Sequence, residues 1–282
     1  MPRGNMPRQP SRSGRQDRVS LPTNMPKKKL ALATPKVTMK AKTTQPTTTT
    51  KAKSASAYNP RSPERVRQII AGLDQMYPAA TCALKHRSAW ELLVATILSA
   101  QCTDVRVNMV TPILFEKYPT IESFAALEPE QLEPDIRSTG FFRNKAKSVV
   151  GAARKIVSDF GGEVPHTMDE LLTLPGVARK TANVVLGTWF KQNVGVVVDT
   201  HVTRIARRLE LTEHEDAQKI EQDLMQIVPQ ARWTDFSHEV IWHGRTLCVA
   251  RSPKCAECKI EALCHAADKT WSTVEVHKNA RL

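Results

Sequence analysis

From residue 62 onward apolar residues recur at helical spacing, and before it they hardly recur at all. Ser62-Pro63-Glu64 offers an N-cap and a proline at the first helical position, with Val66, Ile69, Ile70 and Leu73 following on one stripe. The run WELLVATILSA from Trp90 is apolar nearly all round, broken by Glu91, Thr96 and Ser99, which predicts a helix buried on several sides. Thr103-Asp104 offers an N-cap for a helix to about Tyr118, with Val105, Met109, Ile113 and Leu114 expected on its core face. Further helices fit 121–126, 129–137 and 144–160. A short one over 168–174 follows a Thr167 cap, with Glu170 at capping-box spacing. After Pro175-Gly176 a helix from Ala178 to Phe190 aligns Thr181, Val184, Val185 and Trp189. The string from Val194 to Val198 is strand-like but isolated, and reads as a buried extended link. Helices resume over 200–209, 216–227 and from 231 or 233 to 248. There is no internal repeat and no alternating strand run, so the fold class is all-α.

The Pro-Gly break does more than end a helix. Proline fixes φ and glycine accepts a positive one, so two helices meet in a tight hairpin. The second helix then starts with backbone N–H groups and a dipole suited to a phosphate oxygen. Lys180 lies in its first turn beside Arg179, an electropositive setting that favours a free amine. Taken alone, such a lysine reads equally as a solvated charge. Asp199, ahead of the next helix, reads first as an N-cap.

Composition narrows the class. Lys and Arg exceed Asp and Glu by 13, but residues 1–60 hold 13 of the basic residues against one acid, Asp17. The remainder is nearly balanced, with 28 basic and 27 acidic residues. That first segment, rich in Pro, Ser and Thr, is expected to be a disordered basic arm, a transit peptide or a plain solvated tail. No eighteen-residue apolar run or secretory h-region occurs, which argues against a membrane span or secretion. Four of the six cysteines, Cys248, Cys255, Cys258 and Cys264, are spaced C-x6-C-x2-C-x5-C. Four thiolates at such spacing suit a [4Fe–4S] cluster or tetrahedral zinc, and an intracellular compartment, better than disulfides. Cys82 and Cys102 read as ordinary buried thiols.

LPGVARKTANVVL followed by VVDTHVTRIARRL, with the cysteine loop after WHGRTLC, closely resembles the endonuclease III family of DNA glycosylases and abasic-site lyases. The resemblance spans about Glu64 to His265. It implies a six-helix domain over 82–192, with its helix-hairpin-helix at 168–187, and an iron–sulfur domain joining 61–81 to 193–272. Residues 1–60 and 273–282 are then tails, and a DNA cleft lies between the two domains. It further implies that Lys180 attacks C1′, that Asp199 assists it, and that the four cysteines hold a [4Fe–4S] cluster rather than zinc. Arg245, Arg251, Lys254 and Lys259 would face DNA from that loop. Gln101, Phe141 and His201 would fill the gap left by an extruded nucleotide. Gly176, Ala178, Arg179 and Thr181 would line the phosphate-binding hairpin, while Arg143, Lys145 and Lys147 read equally as backbone contacts or as a solvated face. Phe141 is bulkier than the usual leucine, and Ala178 stands where glycine is common.

The expected activity is removal of damaged bases, oxidised pyrimidines by family, from double-stranded DNA, with β-elimination at abasic sites. The expected state is a monomer, in the cytoplasm or nucleoid of a bacterium or the nucleus or an organelle of a eukaryote. An adenine-mismatch glycosylase fits less well, since that branch lacks the lysine and carries a further C-terminal domain. A catalytically weak DNA-binding or redox-sensing paralogue is the alternative from another class.

Overall fold

In the computed structural model, which describes residues 58–270, the capping signals act where they stand. Ser62, Ser88, Thr103, Thr120, Thr167, Asp199 and Asp216 each accept a first-turn amide with their side chains. They open α1 (Pro63–Met76), α2 (Ala89–Leu98), α3 (Asp104–Lys117), α4 (Ile121–Ala125), α7 (Met168–Leu172), α9 (Thr200–Arg208) and α10 (Ala217–Ile227). The remaining helices are α5 (Pro129–Ile136), α6 (Phe142–Asp159), α8 (Arg179–Thr188) and α11 (Trp233–Thr246). No strand occurs among the described residues, and the fold is all-α as expected. The segments expected to be tails lie outside the described residues apart from Tyr58, Asn59 and Pro60. Tyr58 is already engaged, donating its hydroxyl to the Glu210 carboxylate and packing against the His265 ring.

Two buried apolar clusters organise the helices. The first is centred on α2, whose Leu92, Leu93, Val94, Ala95 and Leu98 are fully enclosed by side chains of α3 to α8. The second gathers Val66, Ile69 and Leu73 of α1 with Val202 and Ile205 of α9, Leu224 of α10 and Phe236 of α11. The chain crosses between them through Val196, Val197 and Val198, buried and extended without a sheet partner. Ser237 Oγ accepts the Val197 N–H at 3.0 Å, so that amide is satisfied without a ladder.

One expected core face was largely misassigned. On α3 the buried residues are Val107, Thr111, Leu114 and Phe115, while Val105, Met109 and Ile113 are 70%, 60% and 69% exposed. The helix carries two apolar stripes, and only its packing on α2 and α5 selects between them. On α8 the enclosed positions are Ala182, Asn183, Val185, Leu186 and Gly187, and Trp189 is exposed. α8 packs on α2, α7 and α11.

Candidate active site and cysteine loop

The hairpin between α7 and α8 is seated on α6. Gly176 has φ 77°, and a Cβ there would lie 2.5 Å from Ser148 Cβ, so both conformation and space require glycine. Ala178 is the N-cap of α8 and supplies no side-chain acceptor, which leaves the first-turn amides open to another partner. Thr181, half-buried, completes that turn. Lys180 is exposed in the same turn and makes no hydrogen bond or ion pair with any described residue. Arg179 differs: its Nε donates to Glu221 Oε2 at 2.8 Å, and that bond holds its pKa above the usual guanidinium value. Glu221 is buried and also accepts from Asn183 Nδ2 at 2.8 Å. The expected electropositive pair is thus one neutralised arginine and one free lysine.

Asp199 sits at the start of the next helix. Its Oδ1 accepts the amides of His201 and Val202, both at 2.8 Å, and Oδ2 makes no hydrogen bond to any described residue. The capping role is therefore met by one oxygen. His201 Nδ1 lies 3.3 Å from Arg204 Nη2, which donates to the carbonyls of Gly244 and Cys248 at 2.9 Å each. Lys180 and Asp199 stand at the starts of successive helices, and no hydrogen bond or ion pair joins them.

Gln101 and Phe141 are both exposed and both left-handed, with φ 52° and 48°. Such residues, other than glycine, are uncommon and cost about 1–3 kcal/mol. Phe141 is 62% exposed, so it does not pack in the core. Its neighbour Phe142 is the anchored ring, with the guanidinium groups of Arg137 and Arg143 at 5.8 and 5.7 Å. Arg143 and Lys147 are exposed as a DNA-facing role requires. Lys145 is not: it is buried, and its Nζ donates to main-chain carbonyls of Leu98 and Thr139. The signal for this lay in the sequence, since Lys145, Val149, Ala152 and Ile156 share one helical stripe.

Cys248, Cys255, Cys258 and Cys264 are free thiols that line one small cavity of about 30 Å³ with Ile205, Leu247 and Ile260. Among the described residues no three His, Cys, Asp or Glu side chains converge as around a single metal ion. Burial pushes the Cys258 thiol up to about 12, so without a cation nearby the thiolate is disfavoured. Arg208 Nη1 donates to Cys248 Sγ at 3.2 Å, and His243 Nε2 lies 3.7 Å from Cys258 Sγ. Sequence inspection missed both. It also placed Arg245 beside the cysteines facing DNA, whereas Arg245 pairs with Asp104 of α3. Arg251, Lys254 and Lys259 are exposed.

An uncapped helix start bearing a free lysine, a singly occupied capping aspartate, two strained exposed residues and a four-thiol pocket define a class. Residues 94–230 match the HhH-GPD superfamily of base excision DNA repair proteins. The chain is 55% identical over 204 residues to endonuclease III of Synechocystis sp., covering 72% of this chain and 93% of that protein. It is 45% identical to endonuclease III of Bacillus subtilis, covering 72% and 94%. The structure of a trapped endonuclease III–DNA covalent intermediate superposes with TM-score 0.69 at 43% identity, covering 72% of this chain and 96% of that one. The chain belongs to the endonuclease III family, DNA glycosylases and abasic-site lyases of base excision repair. No helix among the described residues is long and apolar enough to cross a membrane.

Proposed function

We propose that this chain excises damaged bases, oxidised pyrimidines in the first place, from duplex DNA through a covalent intermediate on Lys180. The observation that carries the reading is the unpaired Lys180 at the uncapped start of α8. The Lys180 amine attacks C1′, the base leaves with the glycosidic electron pair and a proton, and the sugar opens to an imine. Removal of the C2′ proton then expels the 3′ phosphate, and water releases the lysine. Asp199 Oδ2, not engaged in capping, is the oxygen offered to the positive charge that develops on sugar and amine. Gln101, Phe141 and His201 occupy the space vacated in the stack. The uncapped first-turn amides of α8, from Arg179 to Thr181, take a backbone phosphate, with Arg143 and Lys147 exposed on α6, the helix on which the hairpin is seated. DNA runs between the two apolar clusters, which we take as the six-helix and cysteine-loop domains of a monomer working inside the cell.

The donor set fits a [4Fe–4S] cluster. Four free thiols line one cavity, the donor set such a cluster requires. Cys248, Cys255, Cys258 and Cys264 would hold it, and when bound it cross-links the loop as a scaffold. Arg208 provides an N–H group toward the Cys248 sulfur that offsets thiolate charge, and the His243 ring nitrogen Nε2 lies beside the Cys258 sulfur. Iron and sulfide content of the purified protein distinguishes this from zinc.

Borohydride trapping tests the chemistry on a duplex with one oxidised pyrimidine and on an abasic duplex. Wild type is expected to form an adduct with both, and Lys180→Ala with neither, while its Tm stays unchanged because the exposed Lys180 makes no hydrogen bond or ion pair with any described residue. An adduct on the abasic duplex alone would leave the lyase and overturn the base assignment. No adduct from folded, cluster-loaded wild type that still binds DNA would favour a non-catalytic paralogue.

A further inference from the structure

Of the charged residues on α6 only Lys145 is buried, 5% exposed. Its Nζ donates to Leu98 O at 2.9 Å and to Thr139 O at 2.7 Å. Both acceptors are neutral, and no carboxylate among the described residues pairs with it. Burial lowers the pKa of this ammonium, with the nearby Cys102 thiol pulling the other way. A buried charge without a counter-ion costs several kcal/mol, and methionine fills a similar volume without that penalty. Core stability alone is therefore a poor account of a lysine here.

The two carbonyls have something in common. Leu98 ends α2, three residues before Gln101, and its carbonyl is among those a helix end leaves without an intrahelical partner. Thr139 ends a short 3-10 turn two residues before Phe141. A single ammonium thus ties together the stems of the two turns that carry the strained, exposed Gln101 and Phe141. Each residue sits in the left-handed region within its own turn, and Gly140 beside Phe141 has φ 72°.

We propose that Lys145 is a positioning residue that fixes the separation of the Gln101 and Phe141 turns, so that both side chains enter the duplex as one unit during base extrusion. The inference rests on the gap-filling reading of those two residues. Without the lysine the turns persist but lose their mutual register, and extrusion of a still-paired base suffers first. An abasic sugar, with no base to unstack, is less sensitive.

The test uses cluster-loaded protein and a duplex with 2-aminopurine beside the lesion, whose fluorescence rises when stacking is lost. Fluorescence amplitude, single-turnover base removal and cleavage of a preformed abasic site are compared for wild type, Lys145→Met, Lys145→Arg, Gln101→Ala and Phe141→Ala. Lys145→Met is expected to lose at least about tenfold in base removal, with a matching loss of amplitude, and less than about threefold in abasic cleavage. Added to the Gln101→Ala, Phe141→Ala double variant it should contribute less than about twofold, because it acts through both. Lys145→Arg, which can fork between two carbonyls, should stay within about threefold of wild type. Folded Lys145→Met with normal amplitude, while Gln101→Ala and Phe141→Ala lose it, overturns the proposal alone. Normal amplitude in Gln101→Ala and Phe141→Ala overturns the gap-filling reading, and this inference with it. If Lys145→Met does not fold, Lys145→Arg decides: retained amplitude supports the proposal, and a tenfold loss at unchanged Tm overturns it.

Discussion

Replacing Phe141 with glycine separates what this residue does for the fold from what it does to DNA. Its φ of 48° lies in the left-handed region, which costs a residue bearing a Cβ roughly 1–2 kcal/mol and glycine almost nothing. Against that gain, glycine enlarges the unfolded ensemble by about 0.4–1 kcal/mol. The ring is 62% exposed, so about a third of a full side-chain burial of roughly 1.5–3 kcal/mol is also lost. These terms nearly cancel, and Phe141→Gly is expected to leave stability within about 1 kcal/mol of wild type. For a folded unit of this size that is a Tm shift of no more than about 4 °C. Phe124→Ala, at a fully buried ring, should instead cost about 3–5 kcal/mol. Thermal denaturation followed by circular dichroism measures both. Base removal by Phe141→Gly should nevertheless drop at least about tenfold, since nothing then fills the stack. A loss of more than about 2 kcal/mol would refute the accounting and make Phe141 a packing residue. Wild-type base removal at unchanged stability would refute the gap-filling role.

Asp199→Asn keeps an N-cap acceptor for His201 and Val202, so stability should change by less than about 0.5 kcal/mol while base removal falls about a hundredfold or more and DNA affinity holds. Single-turnover kinetics beside a binding titration reads this. Gly195→Ala would bring a Cβ to 2.2 Å from Glu221 Oε1 and 2.7 Å from the Asn183 amide, both buried, and should lower stability by about 1–3 kcal/mol in a denaturant titration. Glu239 is pushed up to about 7 by burial and by the neighbouring Asp74, against the pull of Arg232. A carboxyl raised above its ordinary value favours the fold while protonated, so its contribution is full below about 4.5 and is lost as pH rises through about 7. Glu239→Gln should therefore gain stability relative to wild type between pH 5 and pH 8, measured as the difference in Tm at each pH.

Much of this was legible because it rests on local rules. The caps at Ser62, Thr103, Thr167 and Asp199 act over three residues, and a sequence contains all of that information. Gly176 was legible for the same reason, although its close approach to Ser148 belongs to tertiary packing. The face of α3 was not legible. Val105, Met109 and Ile113 form as good a stripe as Val107, Thr111 and Leu114, and only the position of α2 breaks the tie. The partners of charged residues were equally hidden. Nothing near Arg179 in the sequence points to Glu221, or near Arg245 to Asp104, because each pair closes only when distant helices meet.

The two lysines of the site show how far a perturbed titration can serve as a guide to chemistry. Active-site nucleophiles often have displaced pKa values, and on that criterion Lys145, whose ammonium burial disfavours, would be chosen. Geometry reverses the choice. Two of the three Nζ hydrogens of Lys145 are donated to carbonyls inside the protein, and no sugar carbon can approach an atom enclosed between α2 and α6. Lys180 has an exposed amine with no partner among the described residues, in the first turn of a helix that no side chain caps. Access is a condition a nucleophile must meet before its pKa matters, and of these two lysines only the exposed Lys180 meets it. The buried charge of Lys145 is better understood as tension between two turns than as reactivity.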